Sequence, residues 1–241
     1  MGKDRSGRRT EEGYLSSPER SLYGRRYGRP LRQERREALE NRLPEMQVEI
    51  PQDGFLDLTA LFPPSVQEVW LEIGSGNGEH AAWQAEKNPH VGVVAVEPFI
   101  NGVANLLSIA GRNGLPNIRV LADDVRLLLA KLKPGSIART FILFPDPWPK
   151  RRHWRRRIVN AEVLDQLARA MPGGAELRVG TDHADYLVWM LRVLRSHPDF
   201  VWAPACADDW RCRPADWPET RFEAKGWEAG RASTYLSLRR G

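Results

Sequence analysis

The chain has 241 residues, 41% hydrophobic and 28% charged, with 36 Lys and Arg against 31 Asp and Glu for a formal net charge of +5. This length holds one α/β domain with short appendages, no stretch approaches the ~20 apolar residues of a membrane span, and the first residues, MGKDRSGRRTEEG, lack a secretory apolar run, so a cytoplasmic protein with no membrane association is expected. The two cysteines, Cys206 and Cys212, assemble neither a CxxC pair nor a Cys/His metal quartet and read as two reduced thiols in a loop, with no metal expected.

In chain order, residues 1–20 are polar and arginine-rich without apolar periodicity, and are expected to be poorly ordered. From Ser21 a basic segment carries Arg25, Arg26, Arg29 and Arg32 beside Tyr23 and Tyr27. Cations interleaved with aromatics suit a phosphate backbone and unstacked bases, while a solvated arm folded on the domain surface would look the same. A short helix is expected from Arg35 to Leu43, ended by Pro44. The division expected is an N-terminal basic arm, 1–45, and a main domain, 46–241, whose first strand begins near Val66.

Four apolar runs follow, VWLEI, VGVVAVE, IRVLA and IARTFILF, and a fifth, AELRVGT, comes later. Helix-like stretches alternate with them: Glu79–Lys87, Phe99–Arg112, Val125–Lys131, Ile158–Met171 and Ala184–Ser196. Continuous apolar strands alternating with helices predict a parallel sheet covered on both faces. The fold class expected is therefore α/β, a doubly wound, Rossmann-like sheet with ligands at the strands' carboxyl ends. The final STYLSLRR alternates and should add an edge strand.

The first strand runs into Glu72-Ile-Gly74-Ser-Gly76-Asn-Gly78, whose alternate glycines let the backbone turn sharply and approach a ligand. A dinucleotide fingerprint would place its third glycine at 79. Glu79 stands there instead, poorly suited to a pyrophosphate and harmless beside a nucleoside. The second strand ends in Glu97, about 20 residues on, where an acid can accept from ribose hydroxyls; a helix N-terminal acid is the plainer alternative, and the preceding glycine turn counts against it. The third ends in Asp123-Asp124. Asp124 is the choice to meet an adenine amine, and Asp123 the cap of the next helix.

The fourth strand ends in Phe144-Pro145-Asp146-Pro147-Trp148-Pro149-Lys150. The prolines stiffen a turn that holds Asp146 beyond the sheet edge, and Trp148 offers a face for stacking a base. Then comes a cationic run containing Arg151, Arg152, Arg155, Arg156 and Arg157 with Trp154. Charge runs are usually solvated faces. Beside such a turn this one points to nucleic acid, with phosphate contacts that position without reading sequence. The fifth strand ends in Thr181-Asp182-His183; the histidine, at a helix start, reads as a cap and is given no catalytic role. Thr220-Arg221-Phe222-Glu223 begins a second polar loop placed to close over the same site.

Together these segments resemble the bacterial tRNA (guanine-N7)-methyltransferase family, from about Ser21 to Gly241: SLYGRRYGRPLR, LEIGSGNGEH, AVEP, LFPDPWPKRRHWRRRIV, GTDHADY and TRFEAKGWEAGRASTYLSLRR. The resemblance implies a class I methyltransferase sheet, mostly parallel with an antiparallel C-terminal edge strand, S-adenosyl-L-methionine as cofactor and a variable-loop guanine of tRNA as substrate. It implies cofactor contacts at Glu72, Gly74, Gly76, Gly78, Glu97, Asp124 and Asp146, catalysis at Asp146, and substrate contacts at Lys150, Asp182, Thr220, Arg221, Phe222 and Glu223. No obligatory protein partner is inferred. Departures are the tail before Arg20, Arg221 where lysine is the more common residue, and the tryptophan-rich stretch Ala203–Trp217, which is left unmatched to any family segment. The rivals are a methyltransferase acting on an exocyclic amine, a nicotinamide-dependent oxidoreductase, and a non-catalytic RNA-binding protein on the same fold.

Overall fold

The computed structural model describes residues 23–241, so the expectation of disorder over 1–20 lies outside the described residues. The first helix, α1 (Gln33–Met46), is followed by β1 (Glu68–Ile73), α2 (Glu79–Lys87), β2 (Val91–Val96), α3 (Ile100–Asn113), β3 (Ile118–Leu121), α4 (Val125–Leu129) and β4 (Arg139–Leu143). Then come α5 (Ala161–Ala170), β5 (Glu176–Thr181), α6 (Ala184–Ser196), β6 (Phe200–Val201), α7 (Asp208–Arg211), α8 (Arg221–Glu228) and β7 (Thr234–Arg240). The strands form one sheet in the order β3-β2-β1-β4-β5-β7-β6. The first five run parallel, β7 pairs antiparallel with β5, and two residues of β6 pair antiparallel with the outer side of β7.

Strand alternation builds a core on each face of this sheet. Val69, Leu71 and Ile73 of β1 point with Val94, Val96, Ile142 and Leu177 toward α4, α5 and α6. Trp70 points with Val91, Val93, Ala95, Val120 and Phe141 toward α1, α2 and α3. β2 is buried at all six positions, which is why its sequence is a continuous apolar run. Because β1 lies between β2 and β4, chain direction across the sheet reverses there, and the crevice beyond the carboxyl ends of β1 and β4 is where such a sheet takes ligands.

Four local expectations are corrected. The first helix does not end at Pro44 but continues to Met46 with Pro44 inside it. The proline removes one hydrogen bond near the helix end, while α1 packs against α3 and buries Ala38 and Met46. The expected arm boundary at 45 thus falls within this helix. The fourth helix stops at Leu129, short of Lys131. The fifth begins at Ala161 rather than Ile158, since Asn160 caps it by accepting from the Val163 N–H at 3.0 Å. Finally, the polar loop expected from Thr220 is a helix, α8. Thr220 and Glu223 close a reciprocal capping box there, and T-x-x-E is the sequence signature of that device.

Candidate active site

One half of the crevice is acidic and is held together by backbone groups. Gly74, Gly76 and Gly78 have φ of 77°, 55° and 76°, a region that costs other residues strain. A Cβ on Gly74 or Gly76 would meet nothing within 4 Å, so the turn leaves open space beside its backbone. A Cβ on Gly102 of α3 would overlap the Gly76 carbonyl oxygen. That glycine, in the first turn of α3, is a packing requirement of the glycine turn, and sequence reading passed over it.

Glu97 closes the turn from β2. Its Oε2 accepts from the Gly76 N–H at 2.7 Å and its Oε1 from the Phe99 N–H at 2.9 Å. Burial pushes this carboxyl up to about 6 against the pull of those two N–H groups, with the nearby charges of Asp146 and Glu72 adding to the rise. Glu72, at the end of β1, is also buried and accepts from His80 Nδ1 at 2.8 Å. His80 was not anticipated; the GEH text alone does not separate a core histidine from a site residue.

The capping role expected after β3 falls to the other aspartate. Asp124 is the N-cap of α4: its Oδ1 accepts from the Arg126 N–H and its Oδ2 pairs with the Arg126 guanidinium, both at 2.9 Å. Capping was expected of Asp123. That residue instead accepts from the Asp124 N–H at 2.8 Å and lies 4.0 Å from Arg26. Both line the crevice.

The other half is built on the turn after β4. Phe144 and Trp148 have φ of 49° and 43°, the two positive-φ residues other than glycine among the described residues. They bracket Asp146, which lies exposed at the lip of the crevice it helps to line. Such strain persists only where surrounding structure enforces it. Here Phe144 N–H donates to the Gly180 carbonyl at 2.8 Å, and Arg157 Nε donates to the Pro147 carbonyl at 2.9 Å.

This bracing role corrects the expectation for Arg157. Its guanidinium is buried, packed against Trp154, Tyr186 and Trp189 at 4.9, 4.9 and 5.0 Å from the ring centroids. In this arrangement it is not part of the exposed cationic face. Arg156 is also partly enclosed, lying over Tyr23 at 4.9 Å and Trp148 at 4.8 Å where it lines the crevice. Arg151, Arg152 and Arg155, with Lys150, stay exposed as expected of a cationic face. Lys150 lies outside the crevice lining.

The α8 segment divides likewise. Thr220 and Phe222 line the crevice, and Phe222 packs on Phe144 with centroids 5.4 Å apart. Arg221 pairs with Glu79 at 3.2 Å, tying α8 to the start of α2. Glu223 faces inward: it is buried, closes the capping box and accepts from the Tyr235 hydroxyl at 2.7 Å. Asp182 lies outside the crevice lining and pairs with Arg231 at 2.8 Å. His183 caps α6, accepting from the Tyr186 N–H at 3.4 Å, in line with its reading as a cap.

The crevice encloses about 500 Å³. Its β1–β3 wall offers carboxylates and backbone, and the lip carries Asp146, Trp148, Tyr23 and Arg156. Among the described residues, no helix is long and apolar enough to cross a membrane, and no group of His, Cys, Asp and Glu is placed to hold a metal ion.

Residues 66–236 match a family described as "Putative methyltransferase". The chain is 47% identical over 222 residues to a tRNA (guanine-N(7)-)-methyltransferase of Rhodospirillum rubrum, covering 91% of this chain and 87% of that one. It is 45% identical to the tRNA (guanine-N(7)-)-methyltransferase of Azorhizobium caulinodans, covering 91% of this chain and 95% of the relative. Among solved structures, the 16S rRNA methyltransferase KamB superposes with a TM-score of 0.53 at 18% identity, over 78% of this chain and 95% of that one. The last likeness concerns the fold alone.

Proposed function

The chain belongs to the tRNA (guanine-N(7)-)-methyltransferase family, and on that premise we propose that it transfers the methyl group of S-adenosyl-L-methionine to N7 of a guanine in the variable loop of tRNA. The observation that carries this reading is the position of Asp146, at the seam between a carboxylate-walled crevice and an exposed cationic face.

The residues of the crevice fit that cofactor. A wall of Glu72, Glu97, Asp123 and Asp124 offers acceptors to a ligand with a cationic sulfur, ribose hydroxyls and an adenine amine. The open space beside Gly74 and Gly76 admits it close to backbone. Glu97, held by two N–H donors, has lone pairs left for a ribose diol. A dinucleotide fits worse, because Glu79 lines the crevice at the first turn of α2, where a pyrophosphate would sit. When bound, S-adenosylmethionine supplies an electrophilic methyl group.

Guanine N7 brings its own lone pair, so the chain needs no strong base to create the nucleophile. Holding the reactants aligned is worth up to ~7–11 kcal/mol, and the rigid turn around Asp146 serves that end. The purine becomes cationic as N7 is methylated, and a fixed carboxylate at the lip stabilises that charge. Trp148, Tyr23 and Phe222 offer rings for the base. Lys150, Arg151, Arg152 and Arg155 offer phosphate contacts.

The test is incubation with labelled S-adenosylmethionine and unmodified tRNA, then nucleoside analysis and cleavage mapping. The expected product is 7-methylguanosine in the variable loop. Label in an exocyclic-amine product would overturn the N7 assignment, and label at another tRNA position would overturn the variable-loop assignment.

A further inference from the structure

Behind the acidic wall, a chain of buried polar groups runs from the tryptophan-rich segment to Glu72. Asn88 Nδ2 donates to the Gln84 carbonyl at 2.9 Å and to Gln84 Oε1 at 3.2 Å. Gln84 Nε2 donates to the Asp216 carbonyl at 2.8 Å and faces His80 Nε2 at 3.1 Å. His80 Nδ1 meets Glu72 Oε2 at 2.8 Å. His80, Gln84 and Glu72 are all buried.

This arrangement fixes each proton. Turning the Gln84 amide over would set its oxygen against the Asp216 carbonyl, two acceptors face to face, so the NH2 group points there. Its second hydrogen then faces His80 Nε2, which must accept. The ring proton is therefore on Nδ1 and is donated to Glu72, whose Oε1 remains for the crevice it lines. Phe141 and Trp217 hold the ring edge-on at 4.7 and 6.0 Å.

The far end of the chain is anchored too. The Asp216 carboxylate lies 2.7 Å from Arg178 and 3.5 Å from Arg139. Burial pushes that carboxyl up, but the two guanidinium groups outweigh it and hold it below its ordinary value. Arg139 and Arg178 share Glu176, each at 3.0 Å. The tryptophan-rich segment, which lies within the span of the family match, thus braces the floor of the cofactor crevice.

We propose that His80 is a positioning residue for cofactor binding: it locks one oxygen of Glu72 through Nδ1–H, with its tautomer dictated by Gln84 and the Asp216 carbonyl. The inference rests on the cofactor reading of the crevice given above. Asn at position 80 places an amide near where Nδ1 stands and restores the donor; Gln and Leu do not.

The experiment measures the affinity of S-adenosylhomocysteine calorimetrically for the full chain and for His80→Asn, His80→Gln and His80→Leu. Gln and Leu are expected to weaken binding at least tenfold, Asn no more than threefold, and none to change tRNA affinity beyond twofold. Leu within twofold of the native protein, or Asn no tighter than Leu, overturns the proposal. Long-range proton–nitrogen spectra of the unliganded protein supply an independent readout, with the His80 signals identified by their loss in His80→Asn. A proton on Nδ1 is expected, and one on Nε2 overturns the proposal even if a variant folds poorly. Failure of the native protein to bind S-adenosylhomocysteine would instead remove the cofactor reading, leaving the tautomer to be judged by the spectra.

Discussion

The two halves of the crevice are assembled by different means. After β2 and β3, acids accept from backbone: Gly76 and Phe99 N–H groups hold Glu97, and Asp124 accepts from the Arg126 N–H as the cap of α4. After β4, the frame is made by rings and guanidinium groups, with Arg157 enclosed by three aromatics and Arg156 between Tyr23 and Trp148. In the first half, charge of one sign is concentrated on the crevice wall. In the second, charge of the other sign is partly consumed as structure. A cationic run is therefore not a uniform binding surface; burial separates its members.

The largest effect expected is at the junction of the halves. Asp146→Ala should lower kcat by about 10²–10³-fold, the scale seen when a preorganised charge-stabilising group is removed, with tRNA affinity within a few-fold. Single-turnover kinetics beside a tRNA binding titration measures both. Equal losses in the two would move Asp146 from catalysis to substrate binding.

Within the cationic run, Arg157→Ala and Arg155→Ala should diverge. Arg157 fills a buried site and braces the Pro147 carbonyl, so its removal leaves a cavity and an unpaired acceptor. A cost of about 3 kcal/mol is expected, or a melting temperature lower by on the order of 10 °C at this chain length. Arg155 is exposed, and its loss should move stability by no more than ~0.5 kcal/mol. Similar melting shifts for both would break the division drawn through this run.

The same division explains what the sequence could and could not disclose. The parallel sheet, α2 and α6, the glycine turn and the place of Glu97 at the end of β2 were legible because they depend on period, apolar runs and special backbone angles. The capping box of α8 was equally legible, since Thr220 and Glu223 stand three apart, but the surrounding polarity suggested a loop. Other features depended on tertiary contact. Arg156 and Arg157 are neighbours of one type, yet only packing against Tyr186 and Trp189 decides which is buried. Gly102 looks like any helix glycine until Gly76 is placed against it. His80 and Asp216 are 136 positions apart and meet only through Gln84.

A smaller effect should appear in the acidic half as a pH dependence. Glu97 is raised to about 6 in the unliganded protein, and donation from ribose hydroxyls favours its ionised form. Cofactor binding should then be level above pH about 6. Below it, affinity should fall by up to about tenfold per pH unit, because each unit corresponds to ~1.4 kcal/mol to remove the proton. The sign follows from the direction of the shift: a raised pKa leaves the carboxyl protonated where an ordinary glutamate would be ionised. Calorimetry of S-adenosylhomocysteine from pH 5 to 8 tests it, and Glu97→Gln should bind more weakly with a flatter profile. An affinity that rises on acidification would contradict the role given to Glu97.

The smallest effects belong to the exposed cations, and they are distinguished by salt rather than by size. Each phosphate neutralised on a duplex releases counterions and contributes about −0.9 to the slope of log K against log salt, or about −0.7 on a single strand. Arg151→Ala, Arg152→Ala and Arg155→Ala should each weaken tRNA binding by a few-fold, make the slope shallower by about one unit or less, and do so alike for every tRNA bound. Arg157→Ala, once corrected for its unfolded fraction, should leave the slope alone, since that guanidinium donates to Pro147 and lies beneath three rings. A shallower slope in folded Arg157→Ala would mean that the turn opens on docking and exposes its brace to phosphate. An unchanged slope in all three surface variants would move the tRNA footprint elsewhere on the chain, with the exposed arginines of the 23–32 segment, Arg25, Arg29 and Arg32, the next surface to test.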